Sequence, residues 1–433
     1  MNLIIHRGSD EIGGSCVGIE TKHTRILIDF GMPLVERDKS EFDFRKYKDL
    51  PLNELIQKGV LPNIKGIYPG GEKLIDGVLI SHPHQDHYGL ATFLNEDLRY
   101  FIGEAAYRII NTGNIYINKN PLFKNHSFIE TGKLFTIGDI RITPYLMDHS
   151  AFDSYAFLIE ADSKKIFYSG DFRGHGRKTR AYKWFLHNAP KDVDYLLLEG
   201  TMIGRSTGKE KSESSLQKEF ENLFREKKIN LVCTSGQNID RLVTIYKACI
   251  STGKTLIIDP YIASILQESS RFARIHHPSE SFRNIRVMFP WLLTNRMLNS
   301  PHREYIYKFA KHKITREEIT RSPENFVMIV RPSMKLDLER VNGIDGGNII
   351  YSLWEGYLKK EPTKGFIDYL LRRGCILHKI HTGGHADIPT LKEFVNAIKP
   401  GHIIPIHTFS ADQYKNIFDY PLVELTDGQS LKI

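Results

Sequence analysis

Thiol chemistry is nearly absent from these 433 residues: the four cysteines, Cys16, Cys233, Cys249 and Cys375, lie far apart and form no Cys-x-x-Cys pair. That excludes a disulfide scaffold and a thiolate zinc site, and it suits a reducing compartment. Long apolar runs are missing as well. No stretch approaches the roughly 18 uninterrupted apolar residues that a membrane span needs. The opening Met1-Asn2-Leu3-Ile4-Ile5-His6-Arg7 reads as a first strand and lacks the long apolar core and small-residue cleavage site of a signal peptide. A cytoplasmic protein with no membrane partner is therefore expected. There is no internal repeat, low-complexity run or long flexible linker, and apolar (41%) and charged (25%) fractions are ordinary globular values, which excludes disorder.

Acidic residues are in deficit. Lys plus Arg number 59 against 51 Asp plus Glu, a formal charge of +8 that favours a polyanionic partner. Basic clusters occur at Arg173 to Arg180, Lys209 to Lys211, Arg225 to Lys228, Arg303 to Lys313 and Lys359 to Arg373. Taken singly, each also fits a solvated helix face or loop.

Histidine is what the chain has in concentrated form. Ser81-His82-Pro83-His84-Gln85-Asp86-His87-Tyr88-Gly89 follows the apolar Gly77-Val78-Leu79-Ile80, the pattern of a strand delivering metal ligands. Imidazole nitrogen and carboxylate oxygen suit zinc, manganese or iron(II), and a set without thiolate favours hydrolysis over electron transfer. His82 and His84 are two apart and point the same way on an extended chain, after which a turn can swing Asp86 and His87 toward a second ion. Two ions about 3.5 to 4 Å apart need roughly six to eight protein ligands. His82 and His84 with His149 supply one set, Asp86 and His87 with His407 another, and Asp171 can bridge them. Alone, His149, Asp171 and His407 each fit an ordinary turn or strand-end residue; in this order after the histidine run they read as ligands. Asp29, ending Ile26-Leu27-Ile28, fits a residue that orients a ligand histidine, with a turn role as the alternative.

Residues 1 to 200 read as short strands between glycine and aspartate turns: Leu3 to His6, Cys16 to Glu20, Arg25 to Asp29, Gly77 to Ser81, Leu134 to Thr136, Arg141 to Leu146, Ser154 to Glu160, Lys165 to Ser169 and Asp194 to Leu198. From about 202 longer helices alternate with apolar strands. Ser212 to Lys228 places Leu216, Phe220, Leu223 and Phe224 on one face, Asn238 caps Ile239 to Ile250, and Thr255 to Ile258 precedes a helix around Ile262 to Phe272. That rhythm implies a parallel sheet with helices on its faces. Strand-ligand logic returns at the end: Cys375 to Ile380 leads into His381-Thr382-Gly383-Gly384-His385, and His402 to Pro405 into His407. The expected division is 1–201, an inserted α/β unit over 202–374, and a return over 375–433.

The His-Pro-His-Gln-Asp-His run with Asp29, His149, Asp171 and His407 resembles the metallo-β-lactamase fold, an αββα sandwich of hydrolases. Glu199, in Leu-Leu-Leu-Glu-Gly-Thr, and His385, in Gly-His-Ala-Asp, are similar to the motifs that flank the inserted domain of the β-CASP nucleases. Ser235 to Leu242 (SGQNIDRL) and Asp259-Pro260-Tyr261 are similar to that domain in RNase J-like enzymes. The fold implied is an α/β metallo-β-lactamase sandwich with an inserted β-CASP domain. Departures accompany the likeness. Arg331-Pro332-Ser333-Met334 stands where many relatives carry Ser-Pro-Gly-Met, and Gly383 where RNase J enzymes often place a serine. The chain stops 433 − 407 = 26 residues after His407, without the further C-terminal domain of ribonuclease J proper.

The resemblance implies two divalent ions, zinc or alternatively manganese, and hydrolysis of single-stranded RNA to 5′-phosphate and 3′-hydroxyl ends. It implies His385 as general acid, Glu199 as its hydrogen-bond partner, and Asp86 as both ligand and catalytic group. Arg331, Ser333 and His381 are candidate phosphate contacts. Tyr351, Trp354 and Tyr357, flanked by Lys359 and Lys360, fit either base stacking or a core aromatic face. A DNA nuclease of the β-CASP repair branch and a noncatalytic RNA-binding member are the alternatives, and a homodimer is compatible with all of them.

Overall fold

The computed structural model describes residues 1–36, 38–205 and 208–433. Among these residues the strands form three sheets. The first runs in the order Ser430–Lys432, Asn2–Arg7, Cys16–Glu20, Arg25–Ile28, Gly77–Ile80, Tyr100–Gly103, His126–Ile129. Its first three pairings are antiparallel and its last three parallel. The second runs His402–Ile406, Tyr195–Glu199, Lys164–Tyr168, Ser154–Ala161, Ile140–Met147, Phe135–Ile137.

Alternation along the strands packs these two sheets face to face. Leu3, Ile5, Ile19 and Ile28 from the first meet Ile142, Phe157, Ile159 and Ile166 from the second in one buried cluster. The other face of the first sheet, Leu27, Val78, Ile80 and Ile102, is covered by Ala106 and Ile110 of the helix Glu104–Tyr116. The other face of the second sheet, Phe167, Leu196 and Leu198, is covered by Tyr182 and Phe185 of Thr179–Asn188 and by Leu391 and Phe394 of Ile388–Ile398. The result is an αββα sandwich. Each such side chain, fully buried, contributes roughly 1.5–3 kcal/mol, so patterning on both faces of both sheets fixes the layers.

The third sheet is parallel throughout, in the order Ile285–Val287, Thr255–Ile258, Phe326–Val330, Asn230–Cys233, Asn348–Tyr351, Ile376–Lys379. Buried on both faces, its four inner strands are mainly apolar, as parallel strands are. Helices Glu213–Phe224, Ile239–Ser251 and Pro260–Ser269 pack on one face and Thr363–Arg372 on the other. Local chemistry sets the helix starts: the Ser212 hydroxyl accepts from Ser215 N–H, Asn238 from Arg241 N–H, and Asp387 from Thr390 N–H ahead of Pro389.

Several expectations need correction. Ile376–Lys379 pairs with Asn348–Tyr351, so the third sheet takes in chain beyond residue 374. Of the two roles left open for Tyr351, base stacking or core, the structure has the core one, 1% exposed at the end of a strand of that sheet rather than on a helix. The elements Tyr100–Gly103, Glu104–Tyr116 and His126–Ile129 were not anticipated. The helix among them docks the sandwich to the third sheet, through Tyr116, whose hydroxyl donates to Pro260 O at 2.8 Å. Among the described residues no helix is long and apolar enough to cross a membrane.

Candidate metal centre

Each candidate ligand stands where a strand of the sandwich ends. Gly77–Ile80 is buried along its length and runs straight into Ser81 and His82; His84 then starts a one-turn helix, Gln85–Tyr88, that carries Asp86 and His87. His149 follows Ile140–Met147, Asp171 follows Lys164–Tyr168, Glu199 ends Tyr195–Glu199, and His407 follows His402–Ile406. Paired backbone thus anchors every side chain near its root. The chain turns sharply at these ends. Asp29 (φ 62°) and His407 (φ 52°) both hold left-handed backbone, a cost that persists where surrounding structure imposes it. Gly31 must be glycine, since a Cβ there would collide with the Asp86 carbonyl.

These segments converge. His82, His84 and His149 form one group of potential ligand atoms, Asp86, His87, Asp171 and His407 a second, and Glu199, His385 and His407 a third, each with its ligand atoms within 4.8 Å of one another. Asp171 lies between the groups: its Oδ2 is 3.2 Å from His87 Nε2 and 3.7 Å from both His82 Nε2 and His385 Nδ1. The sequence alone had left open whether His149, Asp171 and His407 were turn residues; all three lie in this cluster.

Whether the cluster fits metal can be judged from its unsatisfied atoms. His82 Nε2, His87 Nε2, Asp171 Oδ2 and His385 Nδ1 are buried without a hydrogen-bond partner among the described residues. Four orphaned polar atoms at one point are costly unless something polar joins them, and a divalent cation matches their donor chemistry. Electrostatics agree. Burial, reinforced by neighbouring imidazoles, lowers the pKa of His82 and His149, leaving neutral rings with lone pairs to give. Burial would raise Asp171, but His407, His87 and His385 outweigh it and hold the carboxyl well below its usual range. His87 is the exception: against burial, the Asp171 and Asp29 carboxylates on either side of the ring hold it well above the ordinary value, a setting that favours positive charge there.

The surrounding shell fixes the rings. Asp29 accepts from Ser81 N–H at 2.7 Å, from Tyr168 O–H at 2.8 Å, and lies 2.7 Å from His87 Nδ1. It therefore serves both as turn residue and as partner of a ligand histidine. His407 is engaged at both nitrogens, receiving Gly13 N–H at Nε2 and facing Thr201 Oγ1 at Nδ1, so an ion bound there replaces one of those bonds. Thr201 and Tyr168 were missed in the sequence because a lone hydroxyl beside a strand end carries no spacing signal.

His385 sits at the open side of the cluster, its side chain 20% exposed, with Nδ1 3.3 Å from Glu199 Oε2. Burial would lower its pKa, but Glu199 and Asp171 outweigh it and raise the imidazole to about 9. Glu199 is itself held by the Ala386 and Thr201 amides at 3.2 and 3.1 Å. The carbonyls before His385 are fixed as well. Arg241 donates to Thr382 O at 3.2 Å, Arg173 to Gly383 O at 2.8 Å, and His149 Nδ1 lies 2.6 Å from Gly384 O. Of the candidate phosphate contacts, Arg331 pairs with Asp259 and its Nε donates to Ser333 Oγ, while His381 is half-buried near Arg241, its pKa lowered by burial to about 4.

Known proteins are similar to this chain in sequence and in fold. A beta-lactamase superfamily domain matches residues 55–215, and a Zn-dependent metallo-hydrolase RNA specificity domain matches residues 371–413. Ribonuclease J of Helicobacter pylori is 24% identical over 416 residues, covering 92% of this chain and 55% of that protein. This chain thus spans little more than half the length of that relative. Ribonuclease J 2 of Streptococcus pyogenes is 19% identical, covering 94% of this chain and 69% of that protein. A crystal structure of a protein of unknown function from Enterococcus faecalis superposes with a TM-score of 0.77 over 99% of both chains at 18% identity, a likeness of fold. The chain thus carries a beta-lactamase superfamily domain and an RNA specificity domain of the Zn-dependent metallo-hydrolase type, and along nearly all of its own length it is similar to ribonuclease J proteins.

Proposed function

We propose that this protein is a metal-dependent ribonuclease that hydrolyses single-stranded RNA and leaves 5′-phosphate and 3′-hydroxyl ends. The observation that carries the reading is the meeting at Asp171 of two ligand groups with a His385–Glu199 pair on their open side. His82, His84 and His149 would hold one divalent ion and Asp86, His87 and His407 another, with Asp171 between them; the all-nitrogen-and-oxygen set suits zinc, with manganese as the alternative. Ions held there would supply an activated water at neutral pH and neutralise charge on the nonbridging phosphate oxygens.

The chain's own residues do the rest. His385 gives its proton to the departing 3′-oxygen as the bond from phosphorus to that oxygen breaks, and Glu199 keeps the ring charged and oriented until then. Asp171, held ionised by the histidines around it, keeps the two ligand groups in register. Asp29 fixes His87 through the ring's other nitrogen, and the donors to carbonyls 382, 383 and 384 hold the loop that presents His385. The third sheet and its helices form the inserted β-CASP domain, which we place from residue 202 to the end of the strand Ile376–Lys379. Four free buried cysteines fit a reducing compartment, the cytoplasm.

End-labelled RNA and DNA of matched sequence, with 5′-hydroxyl, monophosphate or triphosphate ends, test the reading on zinc- or manganese-loaded protein. Mononucleotide ladders or discrete internal cuts on RNA are expected. Intact RNA under every metal and end condition sinks the proposal, and preferential loss of DNA replaces it with a DNA nuclease.

A further inference from the structure

After the buried Tyr351, the chain leaves the third sheet in a tight turn, Glu355–Lys359, that reaches back to the sandwich at two places. Lys360 Nζ pairs with Glu41 Oε1 at 2.8 Å. Glu41 bridges Val35, two residues after Pro33, which bridges Gly13, and a side chain on Gly13 would meet both Leu34 and Asp86. On the other side, the Arg205 guanidinium stands 6.0 Å from the Trp354 ring. Arg205 lies three residues after Met202, whose sulfur packs beside Gly383 in the His385 loop. The turn therefore joins the Asp86 rim of the metal centre to its His385 rim. Tyr357 feels the same site: burial raises its pKa, helped by the Asp86 and Glu41 carboxylates.

Two large aromatic side chains are left half open at this place, Trp354 at 49% and Tyr357 at 42% exposure. The indole lies against the Gly356 backbone, and Tyr357 meets it edge-on, with centroids 5.2 Å apart at 88°. Lys360 Nζ is 5.8 Å from the indole and 5.5 Å from the phenol. An indole held rigid on one side and open on the other, flanked by cations from both parts of the chain, has the make-up of a platform for an unpaired base with its phosphates.

We propose that Trp354 and Tyr357 stack a nucleobase of single-stranded RNA at the rim of the metal centre, with Arg205 and Lys360 taking the adjoining phosphates. The proposal rests on the ribonuclease reading of that centre. An RNA lacking one base at successive positions separates stacking from backbone contact, since removing the base keeps the phosphate. Binding is read by fluorescence anisotropy of labelled RNA in EDTA, where cleavage cannot interfere, and kinetics are read with zinc restored. Trp354→Ala should weaken binding about ten-fold and raise KM alike, with kcat within about two-fold, while Trp354→Phe keeps most of the affinity. The unaltered protein should lose a similar factor when the base is missing at one position, and Trp354→Ala should not respond there. Equal affinity of Trp354→Ala and the unaltered protein, or no position at which the base matters, overturns the proposal; the abasic series decides even if the variant fails to fold. Base-dependent binding without cleavage in zinc would sink the ribonuclease reading and leave the platform standing. Cleavage without base dependence would do the reverse.

Discussion

Two residues less than 4 Å apart divide the labour of the proposed centre. Asp171 stands among four imidazoles and has no other polar partner for its Oδ2. His385 stands at the open side, with its Nδ1 3.7 Å from Asp171 and 3.3 Å from Glu199. Replacing Asp171 with Asn removes the charge between the two ligand groups, so Asp171→Asn should lose bound metal. His385→Ala should keep metal and thermal stability and lose about 10² to 10⁴ in turnover, the usual range for one general acid. Metal content by elemental analysis beside cleavage of labelled RNA checks both, and full activity in His385→Ala would remove its assignment. The candidate ligands were legible in the sequence because four of them fall within six positions after an apolar strand, a spacing with few other uses. Asp29 was legible as a residue that orients a histidine, but not which one: it reaches His87 across 58 positions. Thr201 reaches His407 across 206 positions and carried no signal, so only the folded sheets reveal that pair.

Between elements, a buried ionic network joins the sandwich to the third sheet's helices. Arg173, just after Asp171, and Arg241, in the helix Ile239–Ser251, are both fully buried. Arg173 meets Asp240 at 2.6 Å, Arg241 meets Glu213 at 3.0 Å, and Lys178 Nζ lies 3.5 Å from Asp240 while donating to His149 O at 2.7 Å. Burying such charges is tolerable only because every member is partnered. Arg241→Leu leaves the Glu213 carboxylate without its main partner and frees the Thr382 carbonyl, so it should cost about 3 to 5 kcal/mol of stability, with Arg241→Lys milder. Urea unfolding measures this, and a change under about 1 kcal/mol would mean that Glu213 finds another donor. Strand and cap positions in this region were readable from local pattern: Thr255–Ile258 and the cap at Asn238 lie where the sequence puts them, and of the two serines that could cap the helix before them, Ser212 and Ser214, the structure uses Ser212. Sheet membership was not. Ile376–Lys379, a half-exposed edge strand next to the His385 loop, reads equally well as part of either sheet, and only its pairing with Asn348–Tyr351 decides.

At the scale of the whole molecule, three imidazoles outside the ligand set occupy seams between layers: His6 in the first sheet, His175 against the Gly383 carbonyl, and His381 where the third sheet ends. Burial is the first cause in each case and brings all three down to about 4. An unfolded histidine titrates near 6.5, so above about pH 6.5 both states hold the neutral ring and the contribution of each to stability is fully present. As pH falls below that value, the unfolded chain takes up protons that the folded chain refuses. The contribution is then lost progressively until the folded rings also titrate near 4. Glu11 runs the other way. Burial raises it to about 7 despite the opposing charge of Arg7, so its contribution is present below the unfolded carboxyl value, near 4.5, and is lost as pH rises through about 7. His6→Gln should therefore lose less stability than the unaltered protein between about pH 7 and 4.5, whereas Glu11→Gln should gain on it at about pH 8 and match it at about pH 4.5. Urea titrations at those three pH values read both effects. Parallel curves for His6→Gln and the unaltered protein would mean that the folded His6 ring accepts its proton as readily as the unfolded one, and that the strand Asn2–Arg7 opens to water before the sandwich unfolds.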